Sequence, residues 1–240
     1  MNPKLWLQRA LALLMLLAAP LGGAPAVRAQ GPVTTLATLV DQTAGIGAGG
    51  TSSNIPNFFN GPRAYQAADD IVVTTAASNI YWYMQQLTVT GQNLGVPNPD
   101  TITVYVYADN GSGTLPGSLY ASQSFANPGN GPNYVLPISI AVPGPNRKFW
   151  ISVQANVTAT DGDAWTWQSS SSGAGGNAES AWVELLGSSV ANNSCTVALG
   201  GGWGARKTVC NIGDQFNMAF LLEGQIVTYT SAVFLPIARR

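Results

Sequence analysis

The stretch Lys148-Phe149-Trp150-Ile151-Ser152-Val153-Gln154-Ala155-Asn156-Val157-Thr158 alternates without a break. Phe149, Ile151, Val153, Ala155 and Val157 fall on one side of an extended chain, and Trp150, Ser152, Gln154 and Asn156 on the other, because successive strand side chains point to opposite faces. A helix would scatter those apolar residues around its axis, so the segment is a strand with one face on a core. Thr101–Ala108 repeats the pattern, with Ile102, Val104 and Val106 on one face and Tyr105 and Tyr107 on the other.

The same period extends outward in both directions. Thr34–Val40, Ile71–Thr74, Asn79–Thr90, Ser118–Phe125, Tyr134–Ile140, Ala164–Gln168, Ala181–Leu186 and Gln215–Leu222 read as further strands. Pro137 lacks an N–H, which puts its strand at a sheet edge. Pro97-Asn98-Pro99-Asp100 and Asp109-Asn110-Gly111-Ser112-Gly113 are turns by composition, and Gly45–Gly61 and Ser169–Gly176 read as loops. No long amphipathic helix and no solenoid repeat interrupts this series. The expected fold is all-β: an antiparallel β-sandwich of jelly-roll type.

Lys4 and Arg9 precede the apolar run Ala10–Leu21, and a small-residue stretch ends Val27-Arg28-Ala29. That three-part build predicts a signal peptide over residues 1–29, too short in its apolar part for a membrane span. The domain is then expected over 30–224, with 225–240 as a C-terminal tail or final strand, and the protein is expected to be secreted or at the cell surface.

Removing Lys4, Arg9 and Arg28 from the ten basic residues leaves seven against eleven acidic ones. A weakly acidic chain without a basic cluster argues against nucleic acid as a partner. Histidine is absent, which excludes Ser-His-Asp and Cys-His nucleophiles and His-ligated metals. The two cysteines, Cys195 and Cys210, read as one disulfide in an exported chain, since two thiolates without histidine make a poor zinc site.

Several motifs carry a resemblance. Gln66-Ala67-Ala68-Asp69-Asp70-Ile71-Val72-Val73, Val106-Tyr107-Ala108-Asp109-Asn110-Gly111-Ser112-Gly113-Thr114-Leu115-Pro116-Gly117, Phe149–Asn156, Trp165-Thr166-Trp167, Ala181-Trp182 and the two-cysteine segment around Trp203 occur in order. Together they resemble a family of secreted bacterial β-sandwich domains of unsettled function. The resemblance implies an extracellular sandwich and carries over no catalytic residue. The end, Tyr229–Arg240, is similar to aromatic-Leu-Pro-aliphatic tails with terminal arginine on some secreted bacterial proteins, and reads equally well as a plain last strand.

Two kinds of site follow from residue types. Counting back from Leu87 and Val89 as inward-facing residues puts Trp82 on an outward face. Trp82, Tyr105, Tyr107, Trp150 and Gln154 then form the candidate ligand set, because flat rings beside amides and hydroxyls suit the C–H faces and hydroxyls of sugars. The plain alternative is that any one of these rings is core, with Trp165 and Trp167 of that kind. Asp69-Asp70 and Asp161-Gly162-Asp163 are the acidic clusters, and calcium is the ion whose oxygen-ligand preference they match. Their simpler reading is a turn at Asp161–Asp163 and a strand entrance at Asp69-Asp70.

The function these features favour is non-catalytic binding or adhesion at the cell exterior, with polysaccharide or cell-surface components as partners. One alternative is a carboxylate-dependent extracellular hydrolase, either a glycosidase or an enzyme like the glutamic peptidases. Ala178–Glu184 resembles the Glu-bearing segment of those peptidases in part, with a different residue order and no Asn-Trp motif. A structural surface protein is the third reading.

Overall fold

A computed structural model describes residues 35–51, 53–55, 63–73, 79–94, 98–158, 164–172, 179–186, 202–210 and 217–228. The chain divides into two compact units, Met1–Thr35 and Leu36–Arg240, and every element below lies in the second. Its strands begin with β1 (Ala37–Asp41), β2 (Gly47–Thr51), β3 (Ser53–Ile55), β4 (Arg63–Val73), β5 (Ile80–Val89) and β6 (Gly91–Leu94). There follow β7 (Thr101–Asp109), β8 (Pro116–Ala126), β9 (Tyr134–Leu136), β10 (Ile140–Pro143), β11 (Arg147–Asn156) and β12 (Ala164–Ser170). The series closes with β13 (Ala181–Leu186), β14 (Gly204–Ala205), the short helix α1 (Arg206–Cys210), β15 (Asn217–Met218) and β16 (Phe220–Thr228). The fold is all-β, and no described helix is long and apolar enough to cross a membrane.

The described residues form three sheets. The largest runs β14-β13-β4-β3-β11-β7-β8, with β4 also pairing β11; a five-stranded sheet runs β1-β16-β5-β10, with β9 also on β5. A four-stranded sheet centres on β12, flanked by β15, β2 and β6. Pairing is antiparallel except between β3 and β11. The alternation of β7 and β11 is realised as expected. Val104 opposes Val153 and Val106 opposes Ile151, all four buried, and they share one core with Met84, Leu87 and Leu222 of the five-stranded sheet. Trp165 and Trp167 are fully buried and satisfy their indole N–H groups on the carbonyls of Pro132 and Ala219, at 3.0 and 2.8 Å.

Four local expectations are corrected. The segment read as a loop from Gly45 contains β2 and β3. β4 begins at Arg63, well before Ile71, so Asp69 and Asp70 lie inside a strand and not at its entrance. Tyr134–Ile140 is two short strands, β9 and β10, separated at Pro137, both at the edge of β5 as the missing N–H requires. β16 does not stop at Glu223-Gly224 but continues to Thr228.

The last correction has a larger consequence. Glu223 pairs with Gln86, whereas Gly224 pairs with Met84, so Gln85 is an extra residue in β5. Such a bulge reverses the parity of everything on its far side. Ile80, Trp82 and Met84 therefore face inward before it, and Leu87 and Val89 face inward after it. Gly224 makes the close approach possible: a Cβ there would stand 2.1 Å from the carbonyl oxygen of Tyr83.

Candidate functional site

The face of the seven-stranded sheet turned away from the main core gathers the polar and aromatic residues. On β11 it carries Trp150, Ser152 and Gln154; the strand register sets these opposite Tyr107, Tyr105 and Thr103 of β7. On the other side of β11, Trp150 opposes Asp70 and Ser152 opposes Ala68 of β4. Four of the five ring and amide residues expected to bind ligand, Tyr105, Tyr107, Trp150 and Gln154, thus meet on one face. Trp82 does not join them. It is 5% exposed in the core behind the five-stranded sheet, because the bulge at Gln85 turns it inward.

The centre of this face is a row of rings with amides between them. Tyr105 and Tyr107 stack with centroids 6.1 Å apart and planes at 23°, and Trp203 meets Tyr107 edge-on at 5.3 Å. All three rings are half-buried. Tyr107 Oη donates to Gln66 Oε1 at 2.7 Å, and Gln154 Nε2 donates to the carbonyl of Tyr65 at 2.9 Å. Longer contacts, from Gln66 Nε2 at 3.5 Å and Tyr105 Oη at 3.4 Å, both point at Gln154 Oε1. Burial, then the neighbouring Tyr105, pushes the Tyr107 phenol up to about 12, with the bond to Gln66 acting against this. The phenol is therefore protonated, and a donor, throughout the physiological range. Farther along, Thr103 and Ser124 hydroxyls meet at 2.9 Å, and Asn156 Nδ2 donates to Thr101 Oγ1 at 2.5 Å. Among the described residues, the side-chain hydrogen bonds named along this part of the face join hydroxyls and amides.

Gln66, Ser152 and Gln154 are buried beneath these rings, and the other end of the face is closed as well. Trp150 shares the polar face as its parity dictates, yet it has no exposed surface, since Tyr107, Leu115 and Trp203 pack over the patch it forms with Ala68 and Ala181. The expectation that Trp150 is outward and open is corrected on that ground. Its Nε1 donates to Asp109 Oδ1 at 3.2 Å, and Asp109 Oδ2 also accepts the amides of Gly111 and Gly113 at 2.8 and 2.9 Å. Lys148 pairs with Asp70 at 2.7 Å, donates to the Gly113 carbonyl, and lies 5.8 Å from the Trp150 ring centroid. Trp150, Lys148 and Asp109 thus organise the Asp109–Gly113 turn from within.

Among the described residues the carboxylates do not gather into a cluster. Asp69 and Asp70 stand on opposite faces of β4, so their two carboxylates are directed apart. Asp70 takes Lys148, while Asp69 is fully buried and accepts the Met218 amide at 2.5 Å. Burial raises the pKa of Asp69 well above the ordinary carboxylate range, with the charge of Asp70 adding to this and Met218 N–H and Arg206 opposing it. Glu179 accepts the Lys207 amide and Glu223 the Gln86 side-chain amide, at 2.5 and 2.7 Å. Among the described residues no group of three potential ligands is placed to hold a metal. Asp161, Asp163 and Cys195 lie outside the described residues; Cys210 is 2% exposed in the core.

Two residues of the face escape a reading by strand parity. Gln66 lies ahead of the strand read from Ile71, in a stretch whose Asp69-Asp70 read as a strand entrance, and Trp203 sits between glycines with no alternation around it. No protein-family model, curated protein or solved structure matches this chain.

Proposed function

We propose that this chain is a secreted or cell-surface jelly-roll β-sandwich, non-catalytic, that acts in binding or adhesion with carbohydrate as its ligand class. The observation that carries the reading is the Tyr105–Tyr107–Trp203 row with Gln66 and Gln154 beside it. Rings of this kind offer apolar faces to sugar C–H groups, and the buried amides of Gln66 and Gln154 hold the tyrosine hydroxyls in place beneath them. Among the described residues, the row Tyr105, Gln154, Thr103 and Ser124 is uncharged, which favours a neutral polysaccharide. Native gels containing individual neutral polysaccharides test this. Retardation by at least one polymer is expected, and Tyr105→Ala should weaken it severalfold while the melting temperature moves by only a few degrees. Lack of retardation across the panel, or equal retardation of wild type and Tyr105→Ala, overturns the reading.

The exported state carries two further parts of the proposal. Cys195 and Cys210 form one disulfide, supported by their even count and the buried position of Cys210. Thiol titration of the denatured, unreduced protein should find no reactive thiol, and two per chain would refute the bridge. The tail beyond Thr228 serves sorting or attachment. Truncation there should leave thermal stability intact and move the protein from the cell surface to the medium; a large fall in melting temperature would make it a structural strand.

A further inference from the structure

Among the described residues the two larger sheets have four edges, and three of them carry the usual defences against pairing with another chain. β1 has five residues and ends in Asp41. β10 has four and ends at Pro143, with the three-residue β9 beside it. β14 has two. Short length, a charge or a proline each blunts an open edge. β8 has none of these over most of its length. It runs eleven residues without a charged side chain, and its one proline is at the first position. Bulges distort its pairing near Tyr107, but Ala121–Ala126 keeps unbroken register with Thr101–Val106.

Among the described residues, β8 pairs with β7 alone and its outer edge is open. Beyond β7, its described hydrogen bonds are made by two side chains: Tyr120 Oη donates to the Ala141 carbonyl, and Gln123 bridges the Pro137 carbonyl and the Ser139 amide. Both reach toward the five-stranded sheet and leave the outward backbone groups of the edge unused. Leu119 is 54% exposed, and Ser122, Ser124 and Ala126 are exposed in the regular half.

We propose that β8 pairs antiparallel with β8 of a second copy of this chain, joining two seven-stranded sheets into one. A second copy is the occupant that fits, because a two-fold axis brings an equally long and equally uncharged strand against the first. Directly opposed residues in an antiparallel pair share a face. An axis centred on Gln123 therefore sets Ser122 of each copy against Ser124 of the other, and Ala121 against Phe125, with no repulsion and no bulky clash. Each Tyr105–Tyr107 pair lies one strand in from the junction, so both would be presented on a continuous face. An edge-to-edge contact of this size is small, and a dissociation constant on the order of 10–100 µM is expected.

Sedimentation velocity of the purified protein, from about 1 to about 500 µM, reads the equilibrium across that range. Wild type should move from monomer to dimer. The double variants Ser122→Lys/Ser124→Lys and Ser122→Glu/Ser124→Glu each place like charges opposite one another. Each should weaken dimerisation at least tenfold with an unchanged circular-dichroism melt, since like charges directly across a strand pair repel. Mixing the two variants should restore a dimer. A wild type that stays monomeric at the highest concentration overturns the proposal, as does a dimer indifferent to both double variants. Failure of the mixture to restore pairing overturns it too, because the charges would then have acted by some route other than direct opposition.

Discussion

The indole Nε1 of Trp150 donates to Oδ1 of Asp109 across 3.2 Å, which ties the middle of β11 to the turn that leaves β7. The residues lie 41 positions apart, yet each explains the other. The carboxylate gives a fully buried tryptophan its hydrogen-bond partner, and the ring supports a turn built from residues able to adopt unusual backbone angles, with Gly111 and Gly113 at φ of 91° and 76°.

Asp109→Ala should destabilise the domain by about 1–3 kcal/mol, because it leaves a buried indole N–H and two turn amides without their acceptor. Burial by itself would raise the Asp109 pKa, but the bonds from Trp150, Gly113 and Gly111 and the charge of Lys148 outweigh it and hold the carboxyl below the ordinary value. A depressed pKa contributes stability above the unfolded value that is lost as pH falls through the folded one. Urea unfolding between pH 7 and 3 should therefore show a shallower acid loss in Asp109→Asn than in wild type.

Trp82→Ala and Tyr105→Ala should behave in opposite ways. Trp82 is packed in the core, and its truncation should cost about 3–5 kcal/mol. Tyr105 is half-buried at the candidate site, so its loss should act mainly on ligand retardation. Parallel thermal melts and affinity gels check both; a well-folded Trp82→Ala protein with weakened binding would contradict the inward placement.

Gly224→Ala should destabilise by more than about 2 kcal/mol, since the added Cβ would stand 2.1 Å from the Tyr83 carbonyl oxygen, a backbone atom, and 3.1 Å from Leu39 Cδ1. Chemical denaturation of this single variant measures it. A change within about 0.5 kcal/mol would mean the bulge at Gln85 relaxes freely.

Asp69 should make the protein less stable as pH rises. Its folded pKa is raised, chiefly by burial, with Asp70, Arg206 and the Met218 amide also facing it. The native state then holds its proton where the unfolded chain has released it, so stability declines from the unfolded value near 3.9 up to the folded one. Asp69→Asn should flatten that decline, whatever it does to absolute stability. An unchanged slope in denaturation midpoints would show that Asp69 is ionised without penalty.

Alternation along β7 and β11 was legible in the sequence because the strand period is a property of the backbone, independent of what the strand packs against. It sufficed to put Tyr105, Tyr107, Trp150 and Gln154 on one face, and Val104, Val106, Ile151 and Val153 on the other. Elsewhere the tertiary structure decided. Trp82 turned inward because Gly224 on a strand more than a hundred residues away accommodates one extra residue at Gln85. Asp69 and Asp70 entered a strand because Met218 and Lys148 compensate them from opposite sides, which no local pattern announces. Trp150 lost its exposure to Leu115 and Trp203, residues from a turn and from a glycine-rich segment. Local geometry sets the direction of a side chain, whereas bulges, buried charge partners and covering loops depend on segments that only folding brings together.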